Sequence, residues 1–234
     1  MKSTPRRVGD DDRRMMLEAT IKCIDHNNFE AALPLFAKVK HPEEATDGEI
    51  YMAAKTFALA QDFQKAVALA SIGVRRDNDQ KCLEIRAASY SNMNRFAEAI
   101  QDFETLARTM PTWASDYLAK EANLLIRMKK YPEALAVAER SQKSNQNDCA
   151  PPYTRGICLA KLGRQREAVQ AFTQAIANAQ RQIQAKREAT FFLTNSLRER
   201  SKCYQALGKV KEAEADKAEL ARYSDKIMDE LIGK

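Results

Sequence analysis

Glycine and proline are scarce in this chain, at seven residues each of 234. That excludes a collagen-like or linker-rich polymer. Long apolar runs are missing too, and none approaches the ~20 residues of a membrane-spanning helix, so no membrane insertion is expected. The segment from Met1 to Arg14 is charged and has no apolar stretch of a secretory signal. Its acidic run Asp10-Asp11-Asp12 does not suit an organelle transit peptide. The expected location is therefore cytoplasmic. Cysteines number five (Cys23, Cys82, Cys149, Cys158, Cys203) with no CxxC pair, and His26 and His41 are the only histidines. Neither a disulfide framework nor a Cys/His zinc site is expected. Cys149 and Cys158 read as buried packing residues rather than a redox pair. Glycine-rich phosphate loops, HExxH and GxSxG are all absent. His26 beside Asn27-Asn28 reads as a turn residue and His41 before Pro42 as a loop residue, neither with a catalytic partner. No catalytic activity, cofactor or metal is expected.

What is present is a folded, helix-forming composition: 44% hydrophobic and 30% charged residues, rich in Ala, Leu, Glu, Lys, Arg and Gln. The informative feature is self-similarity. A turn residue, an aromatic or similar residue, and then an alanine recur in Asn28-Phe29-Glu30-Ala31-Ala32, Asp62-Phe63-Gln64-Lys65-Ala66, Arg95-Phe96-Ala97-Glu98-Ala99, Lys130-Tyr131-Pro132-Glu133-Ala134, Arg164-Gln165-Arg166-Glu167-Ala168 and Lys209-Val210-Lys211-Glu212-Ala213. The final alanines stand 34, 33, 35, 34 and 45 residues apart.

With that period the chain resembles the tetratricopeptide-repeat family over residues 13–227. In residues 149–182 Gly156 takes the small position of the first helix, Gly163 the turn, and Ala168, Phe172 and Ala175 one face of the second helix. Residues 80–113 match through Leu83, Ala87, Tyr90, Phe96, Ala99, Phe103 and Pro111. Thr20 and Ser201 stand at the small position in the outer repeats, and Lys217 replaces the usual aromatic in the last. The resemblance implies an all-α, right-handed superhelical α-solenoid of stacked helix–turn–helix repeats. The expected order is a disordered tail over 1–12, repeats at 13–46, 47–79, 80–113, 115–148, 149–182 and 194–227, and the end of a capping helix with a tail over 228–234. Ala221, Tyr223, Ile227 and Leu231 are expected to continue the last helix. Asp11 or Asp12 is expected to cap the first.

Physical chemistry supports the same units. Small residues such as Ala87 and Ala99 let two helices cross closely, and Phe36, Phe103 or Phe172 fills the space beside the crossing. One helix pair cannot bury its apolar stripe alone, so neighbours stack. Pro132 and Pro151-Pro152 suit helix starts. Pro34 lies about a turn inside a helix, where a bend or a late start is expected. The long interval carries eleven extra residues, about three helical turns. With no Gly or Pro between Arg164 and Leu207, the insertion over 183–193 is expected to be extra helix.

In the family the first helix of each repeat lines a groove. Transferred here, that groove carries Tyr51, Lys55, Lys81, Glu84, Asn123, Arg127, Tyr153, Lys161, Arg198 and Lys202, a mainly basic set. It suits an acidic segment of a partner protein held by charge-assisted hydrogen bonds. The expected function is that of a protein-binding adaptor or scaffold. The Lys/Asn set with which co-chaperones of the family grip a chaperone tail is not matched, since Leu17 and Ile21 occupy its first positions. Two alternatives remain open. One is RNA binding through residues 181–202, where Arg181, Lys186, Arg187, Arg198, Arg200 and Lys202 face only Glu188 and Glu199; no aromatic stacking platform is evident there, and one of Phe191 and Phe192 is expected in the core. The other is self-association. Trp113, the only tryptophan, is expected to cover a junction between repeats.

Overall fold

The computed structural model describes residues 10–26, 28–185 and 189–232. They form twelve α-helices in chain order: α1 Asp10–His26, α2 Phe29–Phe36, α3 Asp47–Leu59, α4 Phe63–Asp77, α5 Gln80–Asn92, α6 Phe96–Thr109, α7 Ala114–Arg127, α8 Tyr131–Ser144, α9 Ala150–Lys161, α10 Gln165–Gln184, α11 Thr190–Ala206 and α12 Val210–Ile232. No strand occurs among the described residues. The chain divides into two compact units, Met1–Leu106 and Ala107–Lys234. In the first, α1 packs on α2 and α3, and α3 and α4 pack on each other and on α5. In the second, α7 packs on α8 and α9, α9 on α10 and α11, and α11 on α12. Within each unit, successive first helices of the repeats are neighbours.

Local chemistry sets the helix ends. Asn28, Asp62 and Asp79 each accept a hydrogen bond from a backbone N–H in the first turn of α2, α4 and α5. Thr46 and Glu49 form a reciprocal capping box at α3. The turn inside each repeat is the same structure in five places. Gln61, Asn94, Lys129, Gly163 and Gly208 all adopt positive φ, between 58° and 78°. In each case the next N–H reaches back five residues to a helix carbonyl, as from Arg164 to Leu159 at 2.9 Å.

The repeated alanines are the pivots of the packing. Ala32, Ala66, Ala99, Ala134, Ala168 and Ala213 are all completely buried. Phe36, Phe103 and Phe172 are buried beside them. Gly156 lets α9 approach α10 until Phe172 fills the space in which a side chain would stand. All five cysteines are free and buried. Burial pushes the Cys82 and Cys149 thiols up to about 12 and those of Cys158 and Cys203 up to about 11.

Several details depart from the expectations. The first helix starts at Asp10, so Asp12 is helical rather than a cap. Its buried carboxylate instead accepts from the N–H groups of Lys40 and His41 at 3.1 and 2.9 Å. Pro34 does not delay α2, which begins at Phe29 and ends soon after the proline, at Phe36. His26 closes α1 instead of lying in a turn. Trp113 is 55% exposed. The extra residues of the long interval are shared between a 20-residue α10 and the start of α11 at Thr190. Residues 186–188 of that insertion lie outside the described residues, as do residues 1–9 of the expected tail. Tyr223 of the expected cap packs onto the core around Leu193 and Leu197.

Candidate partner-binding surface

The expected groove residues fall into two groups, one in each unit. In the first unit Tyr51 and Lys55 stand on α3, and Lys81 and Glu84 on α5. Each lysine rests on an aromatic ring. The Lys55 Nζ lies 5.2 Å from the centre of Phe29, and the Lys81 Nζ lies 5.5 Å from the centre of Tyr51. Such contacts hold a cation in place without neutralising it. Next to α3, helix α1 presents an exposed apolar strip of Leu17, Ile21 and Ile24, which are 54%, 47% and 67% exposed. Spacings of four and three residues put the three side chains on one face of the helix. The first two are the positions read in the sequence only as a missing chaperone clamp.

In the second unit Asn123 and Arg127 are exposed on α7, Tyr153 and Lys161 stand on α9, and Arg198 and Lys202 on α11. The half-buried Tyr153 lies among three phenylalanine rings. Its centre is 6.1 Å from Phe172, 6.2 Å from Phe191 and 5.6 Å from Phe192. Phe191 and Phe192 meet edge to face at 5.3 Å. Phe192 packs onto the core, whereas Phe191 is 63% exposed. An aromatic platform therefore exists where none was evident in the sequence. The insertion builds it, because the added first turn of α11 carries Phe191 up to Tyr153. Burial raises the Tyr153 hydroxyl above its ordinary pKa, the nearby Glu199 carboxylate raises it further, and Arg198 opposes both.

The cations of this region do different things. Arg198 donates to the Asn195 side chain at 2.5 Å, an uncharged partner, and is exposed. No acidic partner of Arg198 or Lys161 occurs among the described residues, whereas Lys202 is paired with Glu199 at 2.6 Å. Arg200 is withdrawn from the surface: its guanidinium grips Asp216 through two bonds of 2.9 and 2.6 Å and donates to Thr173. The run from Arg181 to Lys202 is therefore less of a free basic face than its composition implies, and Lys186 and Arg187 lie outside the described residues. Tyr153 belongs to the expected groove, whereas Phe191 joins it only through a contact between α9 and α11. Phe191, Asn195, Arg198 and Lys202 recur at the spacing of one helix face, which is the signal that would have found them.

No group of three or more His, Cys, Asp or Glu residues able to hold a metal occurs among the described residues. No described helix is long and apolar enough to cross a membrane. No protein-family model matches the chain, and no curated protein matches it. Solved structures do. A tetratricopeptide repeat protein from Parabacteroides merdae superposes with a TM-score of 0.65 at 17% identity, over 91% of this chain and 80% of that one. MamA from Desulfovibrio magneticus gives 0.63 at 13% identity, over 77% and 96% of the two chains. YrrB, described as a tetratricopeptide-repeat protein with an unusual peptide-binding site, gives 0.57 at 16% identity, over 92% and 97%. With the buried alanines, the shared turn and the neighbouring first helices, these matches establish the architecture: the chain has the tetratricopeptide-repeat fold.

Proposed function

We propose that this protein is a non-catalytic adaptor that holds an extended, acidic segment of a partner protein along the first helices of its repeats. The observation that carries this reading is the surface of α9 and α11. There an exposed aromatic ring, Phe191 on Tyr153, stands on the same helix as a cation, Arg198, that has no acidic partner among the described residues. A buried aromatic contact supplies affinity and a guanidinium selects a carboxylate, a pairing typical of interface hot spots. Lys161, Asn123 and Arg127 extend the polar part of the surface on α9 and α7. Lys55 and Lys81, steadied on their rings, offer the same chemistry in the first unit. The peptide-binding role in the description of YrrB agrees with this reading. Five free thiols fit a reducing compartment, and we place the adaptor in the cytoplasm.

The test is selection of random peptides on the full chain by display, followed by affinity measurement on the enriched peptides. Enrichment of acidic peptides is expected. Arg198→Glu and Phe191→Ala should each weaken binding about tenfold, the equivalent of ~1.4 kcal/mol, with helicity unchanged. Enrichment of basic or purely apolar peptides, or affinities indifferent to both substitutions, would overturn the assignment. Retention on RNA that falls steeply with salt would favour the nucleic-acid reading instead.

A further inference from the structure

The repeats differ in how they satisfy one recurring arginine. Three repeats carry an arginine at the same place in their first helix: Arg86 on α5, Arg155 on α9 and Arg200 on α11. In two of them an aspartate sixteen residues later, on the second helix, receives the guanidinium through two bonds. Arg86 binds Asp102 at 2.8 and 2.7 Å, and Arg200 binds Asp216 at 2.9 and 2.6 Å. Each arginine also reaches a side chain on the preceding second helix, Ser71 or Thr173. Arg155 occupies the same slot, reaching back to Gln142 on α8 at 2.9 Å. The residue sixteen places on is Ala171, fully buried. The remaining contact of Arg155 is to the Gln174 amide at 3.5 Å. Glu167, the carboxylate that senses Arg155, is held by Arg164 at 2.7 and 2.6 Å.

A partly buried guanidinium whose paired carboxylate has been replaced by a methyl group is a charge in want of an anion. The space beside it is open. A cleft of about 550 Å³ is lined by Arg155 with Gln142, Gln174, Lys143, Arg181 and Glu139 among its walls. That volume is in the range of small-molecule sites. Three cations against one carboxylate leave two positive charges, which match a dianion better than a monoanion. A guanidinium fork matches phosphate oxygens in pairs, and the carboxamides suit hydroxyl groups. Since Tyr153 and Arg155 are two residues apart on α9, about 200° around the helix, this cleft lies on the other side of α9 from the partner-binding surface.

We propose that Arg155 anchors a phosphate-monoester site in the cleft between α8 and α10, for a small phosphorylated molecule carrying hydroxyl groups. The site stands independently of the adaptor reading. Titration of the full chain at low ionic strength, followed by calorimetry and by amide chemical shifts around Arg155, tests it. The probes are inorganic phosphate, glycerol phosphate and phosphoserine, with acetate as the singly charged control. Glycerol phosphate should bind saturably with a Kd below about 1 mM, more tightly than inorganic phosphate or phosphoserine, and acetate should not saturate. Arg155→Gln should weaken binding at least about tenfold. Ala171→Asp, which restores the internal partner found in the other two repeats, should do the same while raising the melting temperature. Absence of saturable binding, preference for phosphoserine, or an affinity that survives Arg155→Gln would each overturn the proposal.

Discussion

Single positions show how little freedom the packing leaves. A Cβ added at Gly156 would stand 2.6 Å from the Phe172 ring, with two more ring atoms within 2.8 Å. The ring is itself fully buried and cannot swing away. Gly156→Ala is therefore expected to destabilise the protein by about 2 kcal/mol in a denaturant titration, and a change within experimental error would mean that the helices separate without cost. The thiols of Cys82, Cys149, Cys158 and Cys203 make a pH prediction. In the unfolded chain they titrate near 9.0, and in the folded protein only near 11 to 12. Between those values the native state binds more protons than the unfolded one. The stabilisation they contribute is complete below pH ~9 and is lost as the pH rises through the folded values. Replacing Cys82 and Cys149 by alanine should flatten the alkaline fall in melting temperature; an unaltered alkaline limb would assign that fall to other groups.

At the scale of an element, the shared turn separates backbone from sequence. Gly163 and Gly208 fit its positive φ, but Gln61, Asn94 and Lys129 adopt it as well. Holding a residue with a side chain there costs about 1 kcal/mol or more. Lys129→Gly is expected to stabilise the protein by roughly that amount, less the extra freedom that glycine gives the unfolded chain, read as a rise in denaturation midpoint. A fall in midpoint would show that the Lys129 side chain contributes more than its backbone costs. The insertion is the other instructive element. Its length of about three turns pointed to helix; α10 runs on to Gln184 and α11 begins at Thr190, with Ala185 and Ala189 outside both helices. Its consequence for the surface was not legible. The placing of Phe191 against Tyr153 depends on where α11 starts, and helix boundaries are the least determined feature of a pattern read by period. Pro34 and Asp12 teach the same lesson. Each sits where local rules allow several outcomes, and for Asp12 contacts to residues 28 and 29 positions away choose among them, as its bonds to Lys40 and His41 show.

At the scale of the whole molecule, with a net charge of +6 and exposed lysines and arginines, the proposed binding of an acidic segment should be salt-sensitive. Affinity for an enriched acidic peptide should drop about tenfold between roughly 20 and 200 mM salt, because exposed charges are screened over a Debye length that shortens with ionic strength. Phe191→Ala should lower affinity at every salt concentration with the slope preserved, and Arg198→Glu should reduce the slope. Equal slopes in both variants would count against a role for Arg198 in binding.

The sequence by itself determined the all-α class and the helix–turn–helix recurrence. Those depend on period, and a period of 34 with a small residue at each crossing leaves one way to bury six alanines. Tertiary structure decided which side chains remain available. Arg155 and Arg200 hold the same position in their repeats, yet Arg200 is locked to Asp216 and Arg155 faces an open cleft. The difference lies in the residue on the neighbouring helix, because a charge is satisfied by what the fold brings within three ångströms of it and not by its neighbours in the chain.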